Sequence, residues 1–300
     1  MMILILICTS SFAFAEAPLD KLSLPAGFSI DVYVEGLDGA RSMALGADGT
    51  LYIGTRTKDR LYAVPDKNGD NRGDRIIVLD SGLNSPNGVA LLNGDLYVAE
   101  INRILRYDSI GSRLDNPPKP VVVYDDLPRD RHHGWKFIAF GPDGKLYVPI
   151  GAPCNVCERS DERYAGISRM NPDGSGFEMF AYGIRNTVGF SWHPETGELW
   201  FTDNGRDNLG DKRPPDELNR APVRGLHFGF PYLHGSSIAD PQYGTKAEGR
   251  EFTLPEQELG AHVAALGMRF YTGSMFPPEY SGQIFIAEHG SWNSTVPVGY

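Results

Sequence analysis

Positive charge is in short supply in this sequence. Lys and Arg number 28 against 38 Asp and Glu, so the 300-residue chain carries a formal charge of −10. Neutralising phosphates takes clustered basic side chains, which argues against nucleic acid as a partner. Long apolar runs are also missing. Beyond the N-terminal segment no stretch of 18 apolar residues occurs, so no transmembrane helix is expected in the mature chain. Long amphipathic patterns are absent, and 35 Gly and 22 Pro would interrupt helix interiors. What remains is a turn-rich chain that is 41% hydrophobic and 11% aromatic, too apolar for disorder.

Cysteine is scarce, with three copies. Cys8 lies in Met1–Ala15, an uncharged stretch with an apolar run at Ile3–Ile7 and Ala13-x-Ala15 before Glu16. The pattern reads as a secretory signal peptide cut near Ala15, although the basic start is missing; a short buried strand is the bland alternative. Export predicts a periplasmic or secreted protein, with residues 16–300 as its domain. Cys154 and Cys157 then remain, and in an oxidising compartment two cysteines three apart most simply form a local disulfide. Glu158 stands where c-type haem attachment requires His, and no second ligand pair nearby completes a zinc site.

One phrase recurs along the chain: a turn ending in Gly, one polar residue, an aliphatic, then an aromatic. The copies are Asp48–Tyr52, Asn93–Tyr97, Asp143–Tyr147, Thr196–Trp200 and Ser281–Phe285. Asx-Gly pairs between alternating stretches are hairpin signals, and several short strands per unit of roughly 45–50 residues mark a β-propeller. The longer last interval predicts an insertion at about residues 207–260, read as long loops over one face. Phe28–Val34 is expected to be an extra strand. About five blades are predicted, the fifth incomplete, and the chain is read as C-terminally incomplete.

Several polar groups fall at matching blade positions. His133, beside His132 and just ahead of the third repeat, is a candidate general base placed where an inner strand begins. Arg185 and Asn186 open the fourth repeat, offering a donor fork and an amide. Asn204, Gly205 and Arg206 follow that repeat's central strand, and His289 occupies the corresponding place in the fifth. Asp66, Asn68, Asp70 and Asp74 space their oxygens like a calcium loop, but Asn71 and Ile77 break the EF-hand pattern. A metal loop and a solvated hairpin turn both stay open there.

Taken together, His133–Tyr147, Tyr182–Asn186, Asp203–Arg206 with Asp216–Asn219, Gly260–Ala264 and Ala287–Trp292 resemble the soluble pyrroloquinoline quinone (PQQ)-dependent glucose/sorbosone dehydrogenases, most closely the L-sorbosone dehydrogenase-like branch. The resemblance runs from about Leu24 to Tyr300. It implies an all-β, six-bladed propeller whose last blade is missing here, with PQQ on the top face and a Ca2+ ion held by the carbonyls of Gly205 and Arg206. His133 would take the proton of the sugar's C1 hydroxyl while hydride passes to PQQ. Arg185, with Asn186, would contact the quinone oxygens and stabilise developing negative charge, and the ion would act as a Lewis acid. Asn204 and His262 would touch the cofactor.

The chain departs from the glucose enzymes in several places. His132 replaces an Asp, and Ala152 stands where a second Asp would orient the base, so the resemblance leaves that task to another carboxylate, Asp130. The Cys154/Cys157 loop is an addition. His289 is the nearest basic substitute for an expected Lys, and two Arg that hold cofactor carboxylates would lie past Tyr300. The expected function is oxidation of an aldose or sorbosone-type sugar, with a small sugar substrate and a periplasmic electron acceptor as partners. A calcium-dependent lactonase-like propeller and a non-catalytic binding propeller are the alternatives.

Overall fold

The repeated turns set the architecture. Their glycines, Gly49, Gly94, Gly144, Gly197 and Gly282, take φ between 70° and 87°, where an L side chain is strained. Each therefore reverses the chain between two antiparallel strands. The computed structural model describes residues 18–299; the signal-peptide expectation for Met1–Ala15, with Cys8, lies outside them, as does Tyr300.

Four sheets have four strands each, in simple up-and-down order. The first is β1 (Ala40–Leu45), β2 (Leu51–Thr55), β3 (Leu61–Val64) and β4 (Ile77–Asp80). The second is β5 (Gly88–Leu92), β6 (Asp95–Ala99), β7 (Ile104–Tyr107) and β8 (Val121–Tyr124). The third is β9 (Ala139–Phe140), β10 (Leu146–Ile150), β11 (Gly166–Met170) and β12 (Glu178–Tyr182). The fourth begins with β13 (Phe190–Trp192), β14 (Leu199–Asp203) and β15 (Glu217–Ala221). A small hairpin, β16 (Leu233–His234) and β17 (Ile238–Ala239), then intervenes before β18 (Gln257–Glu258) completes that sheet. Finally β19 (Ala265–Phe270) pairs with β20 (Ile284–Glu288). The fold is an all-β propeller. The described residues hold four complete blades and two strands of a fifth, where the repeats predict about five; a six-bladed ring is not among them. They contain no α-helix, and no helix long and apolar enough to cross a membrane.

The core lies between blades. Strand side chains alternate faces, so β6 sends Leu96 and Val98 towards the first blade and Tyr97 and Ala99 towards the third. Likewise β10 sends Leu146 and Val148 to the second blade and Tyr147 to the fourth. Fully burying such a side chain contributes about 1.5–3 kcal/mol. This two-sided burial keeps the strand ends, which carry the polar residues, in fixed mutual positions.

Two expectations are corrected. The insertion is not loop throughout: β15 pairs along its length with β14, from Leu199 opposite Ala221 to Asp203 opposite Glu217, and β18 pairs with β15. The loops proper are residues 207–216 and the segments flanking the β16/β17 hairpin between β15 and β18. Phe28–Val34 is not a strand. It follows Gly27 in a left-handed turn (φ 88°) and runs across the side of the disc. Tyr33 and Val34 cover Ile53, Tyr62 and Val64 of the first blade, and the Phe28 ring meets Phe276 and Tyr280 edge-on at 4.7 and 5.3 Å.

Candidate active site

His133 precedes β9 rather than beginning it, in a turn where its own backbone is left-handed (φ 49°). Gly151, just after β10, makes room for it: a Cβ there would lie 2.5 Å from the His133 Cβ. Nδ1 of His133 donates to the Ala152 carbonyl at 2.8 Å. A carbonyl only accepts, so the ring is the Nδ1–H tautomer and Nε2 keeps its lone pair. Burial first, then the charge of Arg185 and the neighbouring His132, push the imidazole pKa down to about 3. The ring is therefore neutral at physiological pH. Asp130 does not orient it; its carboxylate accepts the Tyr164 hydroxyl instead. A main-chain carbonyl performs the task assigned to a carboxylate.

Arg185 is buried and held from several sides. Nε donates to the Asn155 carbonyl at 2.8 Å, Nη2 to the Asn155 Oδ1 at 3.0 Å, and Nη1 to the Asn204 carbonyl at 3.2 Å. Asp207 lies 3.5 Å from Nη2. Asn155 sits inside the turn closed by the Cys154–Cys157 disulfide, whose Cα atoms are 6.2 Å apart. Asn155 also binds Asp207 twice, through Oδ1 at 2.8 Å and Nδ2 at 3.1 Å. Sequence reasoning named the disulfide but missed Asn155.

The backbone of Arg185 and Asn186 is fixed by Asp203, which accepts both N–H groups at 2.8 and 2.6 Å. Burial pushes the Asp203 carboxyl well above the usual range. Asn204 donates to the Asn186 and Ala265 carbonyls at 3.1 and 3.0 Å. Gly205 N–H is held by Asp216 at 2.7 Å. Among the described residues, the Gly205 and Arg206 carbonyls accept no hydrogen bond. The Arg206 side chain turns to Asp240 at 2.6 Å, a carboxylate it shares with His234. His262, with φ 62°, donates Nε2–H to the Gly210 carbonyl at 2.9 Å, and His289 is exposed beyond β20.

These predicted residues, Arg206 excepted, line one cavity of about 820 Å³. Arg41, Arg56 and Arg131 line it too, and were not anticipated. A signal for Arg56 was available: it stands four residues after Tyr52, as Asn204 does after Trp200 and His289 after Phe285.

The Asp66–Asp74 loop is remote from this cavity and exposed. Asp66 accepts the N–H groups of Gly69, Asp70 and Asn71 at 2.8 to 3.2 Å. Asn68 accepts from Asp70 at 3.1 Å, Asp70 from Arg72 at 2.9 Å and Asp74 from Lys67 at 3.0 Å. The four side chains close the turn on itself. Among the described residues no group of three or more His, Cys, Asp or Glu converges as a metal cage, and these hydrogen bonds are those of a hairpin turn.

The glucose/sorbosone dehydrogenase family model matches residues 119–290, the span carrying His133, Arg185, Asn186, Asn204, Gly205, His262 and His289. The chain belongs to the glucose/sorbosone dehydrogenase family. An uncharacterized protein of Borreliella burgdorferi is 32% identical over 95% of this chain and 76% of its own length. An aldose sugar dehydrogenase of Escherichia coli is 25% identical over 55% of this chain and 48% of its own, so the match spans about half of that relative. The holo form of the pyranose dehydrogenase PQQ domain from Coprinopsis cinerea superposes with a TM-score of 0.77 at 16% identity, over 89% of this chain and 75% of that one, a likeness of fold.

Proposed function

We propose that this glucose/sorbosone dehydrogenase family member oxidises an aldose or sorbosone-type sugar using PQQ and Ca2+. His133 is the general base, in a six-bladed ring working in the periplasm or outside the cell. The observation that carries the reading is His133 itself: a neutral imidazole with Nδ1 committed to Ala152 and Nε2 unengaged, on the wall of a cavity rich in guanidinium groups.

The residues fit the cofactor's chemistry. PQQ is a flat quinone bearing carboxylates, and the cavity offers Arg185 rigidly held, the amides of Asn186 and Asn204, and the imidazoles of His262 and His289. The free carbonyls of Gly205 and Arg206 suit a hard cation, which prefers oxygen ligands. When bound, PQQ supplies the acceptor for the hydride leaving the sugar's C1. Nε2 of His133 takes the proton from the C1 hydroxyl. Arg185 stabilises negative charge at its end of the cavity without reorganising, since Asn155 and Asn204 already fix its plane. The Cys154–Cys157 disulfide agrees with an exported protein, whose electrons pass on to a periplasmic acceptor.

Reconstitution with PQQ and Ca2+, followed by an artificial-dye assay against a panel of aldoses and sorbosone-type sugars, tests this. Sugar-dependent dye reduction is expected. Bound PQQ with no turnover of any sugar, or lactone hydrolysis without PQQ, would overturn it.

A further inference from the structure

The proposed base and cofactor residues account for the wall built by blades three to five. They leave the first-blade wall without a role. Arg41 lies at the start of β1 and Arg56 directly follows β2, and both are half-buried. Arg56 occupies the blade position that Asn204 fills in the fourth blade, four residues after the repeat's aromatic.

Their surroundings lack a counter-charge. Burial, and for Arg41 the positive charge of Arg56, weaken their hold on the proton, and no carboxylate acts on either. Neither has an ion-pair partner among the described residues, whereas the cavity's other buried guanidinium, Arg185, has Asp207. Two adjacent, partly desolvated cations without an anion are costly, and their planar forks match a carboxylate.

The pair is tied to the base by a continuous stack. The Arg56 guanidinium lies 3.7 Å from the centroid of the Trp135 ring, and that ring meets His133 edge-on at 6.3 Å. Trp135 fixes one face of Arg56, leaving the edge of the fork for a ligand, and Trp135 Nε1 is itself buried without a partner. The charge of Arg56 is felt at the His133 ring.

Resting on the dehydrogenase reading above, we infer that Arg41 and Arg56 form a carboxylate subsite beside His133. Its ligand is the carboxylate of an acidic sugar, a hexuronate-class substrate whose C1 hydroxyl reaches Nε2. PQQ also carries carboxylates, so the test must separate the two sources.

Dye reduction by the PQQ- and Ca2+-loaded protein is compared for glucuronate and galacturonate against glucose and galactose, at two ionic strengths. Sugar binding to the same protein is measured by calorimetry, and PQQ affinity by quenching of tryptophan fluorescence in the sugar-free apoprotein. The uronates should show at least tenfold higher kcat/KM than their neutral counterparts, with the advantage shrinking as salt rises. Arg56→Gln and Arg41→Gln should lower uronate kcat/KM by about tenfold more than neutral-sugar kcat/KM, chiefly through KM. Equal turnover of acidic and neutral sugars, with equal losses in the variants, overturns the subsite and leaves the dehydrogenase reading standing. A loss of PQQ affinity matching the loss of activity assigns the pair to the cofactor and also overturns it. If no sugar is oxidised, calorimetry decides alone: glucuronate binding abolished by Arg56→Gln upholds the subsite, and no glucuronate binding refutes it.

Discussion

The Ala152 carbonyl and the His133 Nδ1–H are joined at 2.8 Å, and this contact decides which ring nitrogen is free to accept a proton. A carboxylate in that place would both orient the imidazole and stabilise its charged form. A carbonyl orients it with much less electrostatic support, while burial and the Arg185 charge oppose protonation. On the proposed reading, His133 is thus a base that is neutral at working pH and that releases its proton easily.

Replacing His133 by Asn removes the base and keeps a polar side chain. We expect kcat to fall by about 10²–10⁴-fold, with PQQ affinity nearly unchanged. Dye reduction and fluorescence quenching on the same preparation check this; a variant with full activity refutes the role.

The pH dependence follows from the same group. Its folded pKa of about 3 lies below the ordinary value of 6.5, so between these values the unfolded chain binds a proton that the folded chain does not. The contribution of His133 to stability therefore declines as pH falls from about 6.5 towards 3. The base stays deprotonated throughout that window. A kcat/KM profile for a neutral sugar should show no His-type limb centred near 6.5, and one appearing there that is lost in His133→Asn contradicts the assignment.

Gly151→Ala places a methyl 2.5 Å from the His133 Cβ and 2.9 Å from its carbonyl oxygen. The backbone cannot yield cheaply there. A loss of about 1–3 kcal/mol in stability and a larger-than-tenfold drop in kcat are expected. Chemical denaturation and turnover measured together separate the two.

Asn155→Ala deletes the acceptor of the Arg185 Nη2 and of the Asp207 N–H, while leaving the main-chain acceptor of Nε. Arg185 should gain freedom. PQQ affinity and kcat should each fall about tenfold, with less change in KM for sugar. The Cys154→Ser/Cys157→Ser double variant should shift the same quantities in the same direction, since the disulfide holds the turn that presents Asn155. Unchanged PQQ affinity in both variants counts against this positioning role.

The propeller was legible because its signal is local and repeated: each Gly turn stands alone, and alternation along β6 or β10 tells both faces. That His133, Arg185, Asn186 and Asn204 line one cavity was legible because side-chain type and repeat position agree. The Ala152 carbonyl was not, since every residue supplies one and only the fold says where it points. Arg41 and Arg56 were passed over because the search followed polar clusters, and these two stand singly in sequence. Phe28–Val34 has strand composition, yet Tyr33 and Val34 find their partners on the first blade and Phe28 finds its own beside the fifth sheet, so packing and not pairing decides its shape.

That outer segment has a mechanical consequence. Phe28 grips Phe276 and Tyr280 beside the fifth sheet, while Tyr33 and Val34, a few residues on, grip the first blade. Arg56 directly follows β2 at one end and His289 follows β20 at the other, and both line the cavity. The span from Phe28 to Tyr33 thus works as a strap that ties the first blade to the fifth sheet. Residues inserted within it should loosen that tie, and lower stability in chemical denaturation, without altering a single group that lines the cavity.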